Sequence, residues 1–289
     1  MLSNNQQQFL MKNKFNISVL GGRGYVGQEI IKIINNHPNF FISDIYSKTS
    51  HGKLVDDYTK SNSLTYKLLD SPDKLDFTDI DIVIMALSNN ESTDYIKSIE
   101  EHVPNIIIID ISADYRFDDG WAYKLPEIAA QTKDNRISNP GCYASAIQFS
   151  LFPIKHLISG KVSCMGISGY SGAGATTNEK NDPNNLKGNI IPYSLSGHIH
   201  EKEVIKHCYE EISFSPHVAN FFRGILTTSH IQLTKKASSS EIYDLYKSFY
   251  KDKKLIQVIK EIPMINKVSN SHYVYIGGFE VDESGYALT

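Results

Sequence analysis

Phe15-Asn16-Ile17-Ser18-Val19-Leu20-Gly21-Gly22-Arg23-Gly24-Tyr25-Val26-Gly27 is the stretch whose reading decides the fold. Six largely apolar, β-rich residues run into a Gly-x-x-Gly-x-x-Gly turn, and Ile30, Ile31, Ile33 and Ile34 follow at helical spacing. The pattern predicts a buried strand, a tight turn and an amphipathic helix. Such a junction aims main-chain N–H groups and the positive end of a helix dipole at one point, which suits a pyrophosphate. The spacing differs from Gly-x-Gly-x-x-Gly, so a merely tight turn stays open as the alternative.

Further apolar runs at Phe40–Tyr46, Ile80–Leu87 and Ile106–Asp110 are nearly continuous in Ile, Val and Leu. Strands of that kind are buried on both faces, which predicts a parallel sheet covered by helices. Residues 15–140 therefore read as a doubly wound, Rossmann-type α/β domain. After Asn139-Pro140-Gly141 the pattern changes to a helix from Cys142 to about Phe152. Alternating segments follow at Lys161–Ile167, Gly224–Thr228 and Tyr273–Phe279. Residues 141–289 read as a second, more antiparallel α+β domain. The Gly-, Asn- and Pro-rich loop from Gly172 to Tyr193 is too long for a plain connector and predicts a functional or mobile segment.

The 289 residues suit two domains. With 41 % hydrophobic and 21 % charged residues the composition is globular. A net charge of −3 argues against a nucleic-acid or membrane-surface partner, which calls for a basic excess, so small-molecule chemistry is the expectation. Cys142, Cys164 and Cys208 are too few for a disulfide framework, and no Cys-x-x-Cys pair suggests zinc. No apolar run reaches the length of a membrane span. The Gln/Asn-rich residues 1–14 read as a disordered leader ahead of a second start-like Met11. A cytoplasmic protein is expected, with a mitochondrial address as the alternative if the leader is a transit peptide.

Cys142 opens a helix behind Pro140 and Gly141, a position that favours the thiolate; packing as a small hydrophobe is the alternative. Cys164, in an apolar strand, and Cys208 are read as packed. In Ser196–Val204, His200 and Glu203 stand one helical turn apart, so the carboxylate can orient the imidazole. His198 and His200 also have strand-type metal spacing, but no third ligand accompanies them and no metal is expected. The only arginines are Arg23, Arg116, Arg136 and Arg223. Arg116, after the strand ending at Ile111, and Arg223, before Gly224, each read as an anion clamp or a structural ion pair. The second strand runs out into Ser47-Lys48-Thr49-Ser50, which favours a 2′-phosphate and hence NADP, while nearby Asp44 leaves NAD open.

These segments resemble the N-acetyl-γ-glutamyl-phosphate reductases from about Phe15 to Leu288. GGRGYVG (21–27) is similar to the family's cofactor turn, ISADYRF (111–117) to its first substrate loop and SNPGCYAS (138–145) to its nucleophile motif. SGYSGAG (168–174), GHIHEKEV (197–204) and SPHVANFFRGI (215–225) resemble its substrate-domain loop, base motif and arginine-bearing strand. Aspartate-semialdehyde dehydrogenases and aminoadipyl-phosphate reductases are the nearest relatives.

The resemblance implies an NADPH-dependent reductive dephosphorylation of N-acetylglutamyl phosphate through a Cys142 thioester, with His200 as acid/base and Glu203 orienting it. It implies that Arg116, His198 and Arg223 bind substrate. Gly21, Gly22, Arg23, Gly24, Tyr25, Val26 and Gly27, with Ser47, Lys48, Ser171, Gly172, Ala173 and Gly174, would bind cofactor in a homodimer or homotetramer. Aminoadipyl- or aspartyl-phosphate reduction, or a non-catalytic NADP-binding remnant, are the alternatives. Lys124 stands where the family has glycine in Tyr-Gly-Leu-Pro-Glu, and Ser145 where it has threonine. The chain ends at Thr289, so a version without the family's final strand and C-terminal helix is expected.

Overall fold

The computed structural model describes residues 13–129, 134–283 and 285–289, so nearly all of the predicted leader lies outside the described residues. The chain divides into two compact units. The first takes the chain up to Lys124 and returns with the segment ending at Asn139. The second takes the segment from Leu125 and everything from Pro140 onward. Leu125 goes with the second unit because it is buried in that unit's core and Ile128 packs beside it.

In the first unit, β1 (Phe15–Leu20) leads through the glycine turn into α1 (Tyr25–Asn36), followed by β2 (Phe40–Ser47), β3 (Lys67–Leu68), β4 (Ile82–Met85), α2 (Ser92–His102), β5 (Ile107–Asp110), β6 (Ala122–Tyr123) and β7 (Arg136–Ser138). The sheet has the order β3-β2-β1-β4-β5-β7-β6, and every pairing is parallel. Alternation sends Ile17, Val19, Ile82 and Ile84 to one face, where they meet Ile31 and Ile34 of α1. Leu20, Val83 and Met85 go to the other, against Ile96 and Ile99 of α2. Continuous apolar runs are thereby satisfied on both sides. Ile33 departs from its expected stripe: it lies outside the Gly27–Ile31–Ile34 face and is half exposed.

The second unit runs α3 (Cys142–Leu151), β8 (Val162–Gly169), α4 (Pro183–Leu186), β9 (Ile190–Pro192), α5 (Ile199–His207), β10 (Ile212–Ala219), β11 (Ile225–Gln232), α6 (Ser239–Phe249), β12 (Ile256–Val258), α7 (Ile265–Val268), β13 (Val274–Ile276), β14 (Glu280–Val281) and β15 (Tyr286–Leu288). Its main sheet has the order β14-β15-β11-β8-β10-β9. It is antiparallel except for the parallel pair β8–β10, whose crossover contains α5. The run Tyr273–Phe279 yields only β13, paired in parallel with β12 in a separate ribbon. Helix α6, missed by the alternation of neighbouring segments, carries a Ser238/Glu241 capping box. Arg223 lies in the bend between β10 and β11 rather than within a strand.

Candidate active site

In the first unit the glycine turn is folded back on the sheet: the Gly21 and Gly22 N–H groups donate to the Tyr46 carbonyl at 3.0 and 3.1 Å. Gly21 has φ +83° and its backbone passes against Ala86, so a side chain fits neither the conformation nor the space. At Gly27 a Cβ would lie 2.6 Å from the Gly21 carbonyl oxygen, which is why α1 can start directly on the turn. Gly24 caps α1 with no side-chain hydrogen bond, and the first turn, containing Tyr25 and Val26, has no acid. Arg23 and Val26 are exposed beside it. An uncapped, acid-free helix start behind close-packed glycines fits a dinucleotide pyrophosphate.

At the end of β2, the buried Ser47 hydroxyl accepts from the Thr49 and Ser50 N–H groups at 3.3 and 3.2 Å, shaping the turn. Lys48 pairs with Glu91 at 2.9 Å on the surface. Asp44 pairs with Ser18 in the strand's interior and its carboxylate is engaged by Lys67, away from the strand's end.

Arg116 is buried, with Nε donating to the Asn139 carbonyl and Nη2 to the Ile111 carbonyl, both at 2.9 Å. It therefore holds the main chain just before Pro140. Beneath the same loop, the fully buried Asp110 carboxylate accepts from the Ser92 and Ser112 hydroxyls at 2.9 and 2.7 Å. Burial raises its pKa against the pull of those two donors.

In the second unit, Cys142 is exposed at the first position of α3, whose cap Gly141 offers no side chain and whose first turn has no acid. The Gly141 N–H donates to Glu203 Oε2 at 2.8 Å. Glu203 is fully buried, and its other oxygen lies 3.8 Å from His200 Nε2, one turn earlier on α5. One carboxylate thus spans the cap of the Cys142 helix and the imidazole.

His198 caps α5, its Nδ1 accepting from the His200 N–H at 3.1 Å. Its ring centroid lies 4.8 Å from that of His200 and 5.6 Å from that of Tyr193. Burial, then the Lys180 charge, hold the His198 imidazole below its usual pKa, against a pull from Glu201. Glu201 itself accepts from Gly197 N–H at 3.0 Å and Phe214 N–H at 2.8 Å, tying the start of α5 to β10. The Tyr143 hydroxyl donates to the His217 carbonyl at 2.6 Å. Burial first, and then Cys142, push Tyr193 up to about 12.

Ser171, Gly172 and Ala173 form a 3₁₀ turn after β8, and Gly174 closes it with φ +85°. The Ser171 N–H donates to the Phe222 carbonyl at 2.9 Å, so this turn rests on the bend that carries Arg223. Arg223 places its guanidinium carbon 5.2 Å from the Phe222 ring centre. Cys164 and Cys208 are packed in the core, where burial raises both thiols to about 12. Among the described residues no group of three His, Cys, Asp or Glu side chains could hold a metal ion. None of their helices is long and apolar enough to cross a membrane.

Residues 16–135 match the family model described as semialdehyde dehydrogenase, NAD binding domain, and residues 142–289 the one described as semialdehyde dehydrogenase, dimerisation domain. An N-acetyl-gamma-glutamyl-phosphate reductase of Xanthomonas axonopodis is 38 % identical over 266 residues, covering 91 % of this chain and 84 % of that protein. The chain belongs to the semialdehyde dehydrogenase family, in its N-acetyl-gamma-glutamyl-phosphate reductase branch.

The family's fungal members include "Protein arg-6, mitochondrial" of Neurospora crassa, 41 % identical over 290 residues. That match covers 97 % of this chain and 33 % of the fungal protein, so the chain spans about a third of such a relative's length. Among solved structures, aspartate semialdehyde dehydrogenase II of Vibrio cholerae aligns with TM-score 0.77 at 16 % identity, over 95 % of this chain and 91 % of that one. The Candida albicans enzyme, solved with NADP, aligns at 0.74 and 17 % identity, over 95 % and 92 %. These semialdehyde dehydrogenases share the fold, and the expected Rossmann-type first half and α+β second half are borne out.

Sequence reasoning did not single out Tyr193, Glu201 or Lys180, nor Asn178 and Asn181, whose side chains donate to the carbonyls of Ala173, Gly174 and Thr176. The asparagine content of that loop was a signal for such turn-making bonds.

Proposed function

We propose that the chain catalyses NADPH-dependent reductive dephosphorylation of N-acetylglutamyl phosphate to the semialdehyde and phosphate. The observation that carries this reading is the exposed Cys142 at an uncapped helix start whose cap N–H is bonded to buried Glu203, one turn from His200. The helix dipole favours the thiolate there. Its sulfur attacks the acyl carbonyl and phosphate leaves, giving a thioester. When bound, the nicotinamide supplies the hydride that reduces the acyl group. His200 gives and takes the protons of the thiol and of the thiohemiacetal, which collapses to aldehyde and free Cys142. Glu203 holds the imidazole's orientation.

Gly21, Gly22, Arg23, Gly24, Tyr25, Val26 and Gly27 hold the pyrophosphate in this reading. Ser47 and Lys48 shape the ribose end, while Ser171, Gly172, Ala173 and Gly174 attend the nicotinamide end. The engagement of Asp44 by Lys67 in the strand's interior supports NADP over NAD. His198 and Arg223 bind the substrate's anions, and Arg116 supports the turn before the nucleophile. A homodimer or homotetramer is proposed, consistent with the dimerisation-domain match. The compartment proposed is the cytoplasm, with mitochondria as the alternative that the fungal names support. The test is phosphate-dependent reduction of NADP⁺ with N-acetylglutamate semialdehyde, run beside the aminoadipate analogue. Activity equal in wild type and Cys142→Ser refutes the thioester route, and preference for the longer analogue refutes the substrate.

A further inference from the structure

Lys180 lies within the long loop between β8 and β9, and that loop is built rather than slack. Asn178 Oδ1 accepts from the Lys180 N–H at 2.9 Å, and Asn181 Oδ1 accepts from the Asn178 N–H at 2.6 Å. The ammonium stands 4.5 Å from the centre of the Tyr193 ring. Glu179 and Asp182 flank it in sequence, yet Lys180 makes no ion pair among the described residues. Asp182 is occupied as the cap of α4, accepting from the Asn184 N–H at 2.8 Å. Glu201 is spent on two backbone N–H groups.

A half-buried cation held on an aromatic face with no counter-ion is placed to receive an anion. Tyr193 also meets the histidine pair at the start of α5: its ring centroid lies 5.6 Å from that of His198, which lies 4.8 Å from that of His200. The same Lys180 charge is felt by His198. Lys180 is therefore one aromatic ring removed from His198, which in turn stands against His200. Phosphate leaves from the carbonyl that sulfur attacks, so it is the near anion; the carboxylate at the other end of the acyl chain is the far one.

We infer that Lys180, placed on the Tyr193 ring, binds the substrate carboxylate remote from the reacting carbonyl. This rests on the proposed reductase activity and adds the group that recognises the substrate's far end. The experiment runs the reaction from semialdehyde, phosphate and NADP⁺, varying each substrate, in wild type, Lys180→Met and Lys180→Arg. Loss of one charge-assisted hydrogen bond raises the Met variant's KM for semialdehyde roughly 10- to 100-fold, while its KM for phosphate stays within about twofold. Lys180→Arg restores most of the loss.

An unchanged semialdehyde KM, a rise confined to phosphate, or a loss that Arg does not rescue overturns the assignment. If the Met variant does not fold, Lys180→Gln takes its place under the same criteria. A wild-type chain inactive with both semialdehydes instead overturns the underlying function.

Discussion

Replacing Glu203 tests the link between the cap of the Cys142 helix and the proposed base His200. Its Oε2 accepts from the Gly141 N–H at 2.8 Å in a buried setting, and Oε1 faces His200 Nε2 at 3.8 Å. Glu203→Gln keeps a carbonyl oxygen for Gly141 and removes the negative charge. Glu203→Ala removes both and leaves the Gly141 N–H buried without that acceptor. A hydrogen bond to a charged group contributes about 1.5–3 kcal/mol, and an unsatisfied buried donor costs about 1–3 kcal/mol more. The Ala variant is therefore expected to lose about 3–5 kcal/mol, and the Gln variant about 1–1.5 kcal/mol.

For a unit of this size the difference corresponds to melting about 5–10 °C lower in Ala than in Gln by calorimetry. Turnover responds differently. Both variants lose the carboxylate that faces the imidazole, so under the proposed orienting role kcat/KM for the semialdehyde falls roughly 10²- to 10⁴-fold in each. A Gln variant with wild-type kcat/KM refutes the orienting role, and an Ala variant that melts with the Gln variant refutes the cap anchor.

Iodoacetamide is expected to modify Cys142 alone in the folded chain, since burial raises the Cys164 and Cys208 thiols to about 12; peptide mass mapping checks this, and labelling of Cys164 first contradicts it. Gly27→Ala pushes a methyl to within 2.7 Å of Gly22 backbone atoms, an overpacking worth about 1–3 kcal/mol; calorimetry should show lower stability, and fluorescence titration weaker NADPH binding. His198 has its folded pKa below 6.5, so the unfolded chain takes up a proton first as pH falls. Its contribution is complete above about pH 6.5 and is lost progressively below that value, toward the folded pKa. His198→Asn, whose side-chain oxygen can still cap α5, should flatten the decline of melting temperature between about pH 6.5 and 5.

The parallel sheet was legible because each of its central strands must be apolar on both faces. Ile17, Val19, Val83 and Ile108 are therefore written as continuous runs. Cys142 was legible for a local reason too: Pro140 and Gly141 mark a helix start, and the start is where a thiolate is favoured. The second unit was read less fully. Strands β9, β12 and β14 are two or three residues long and carry no period to detect. Helix α6 was overlooked although its Ser238/Glu241 cap was a usable local signal.

The sequence by itself determined the strand, glycine turn and helix at residues 15–36, the family, and the place of Cys142 at a helix start. These depend on backbone sterics, hydrophobic period and motif order, all carried by neighbours along the chain. Only the tertiary structure decided that Glu203 bonds the Gly141 N–H, 62 residues away, and that the Tyr143 hydroxyl finds the His217 carbonyl, 74 residues away. It also decided that Arg116 spends two of its donors on backbone carbonyls and that Lys180 stands on Tyr193. Those partners meet because separate elements pack, and a polar atom taken out of water must bond to whatever group the packing brings to it. No local pattern in the chain encodes that choice.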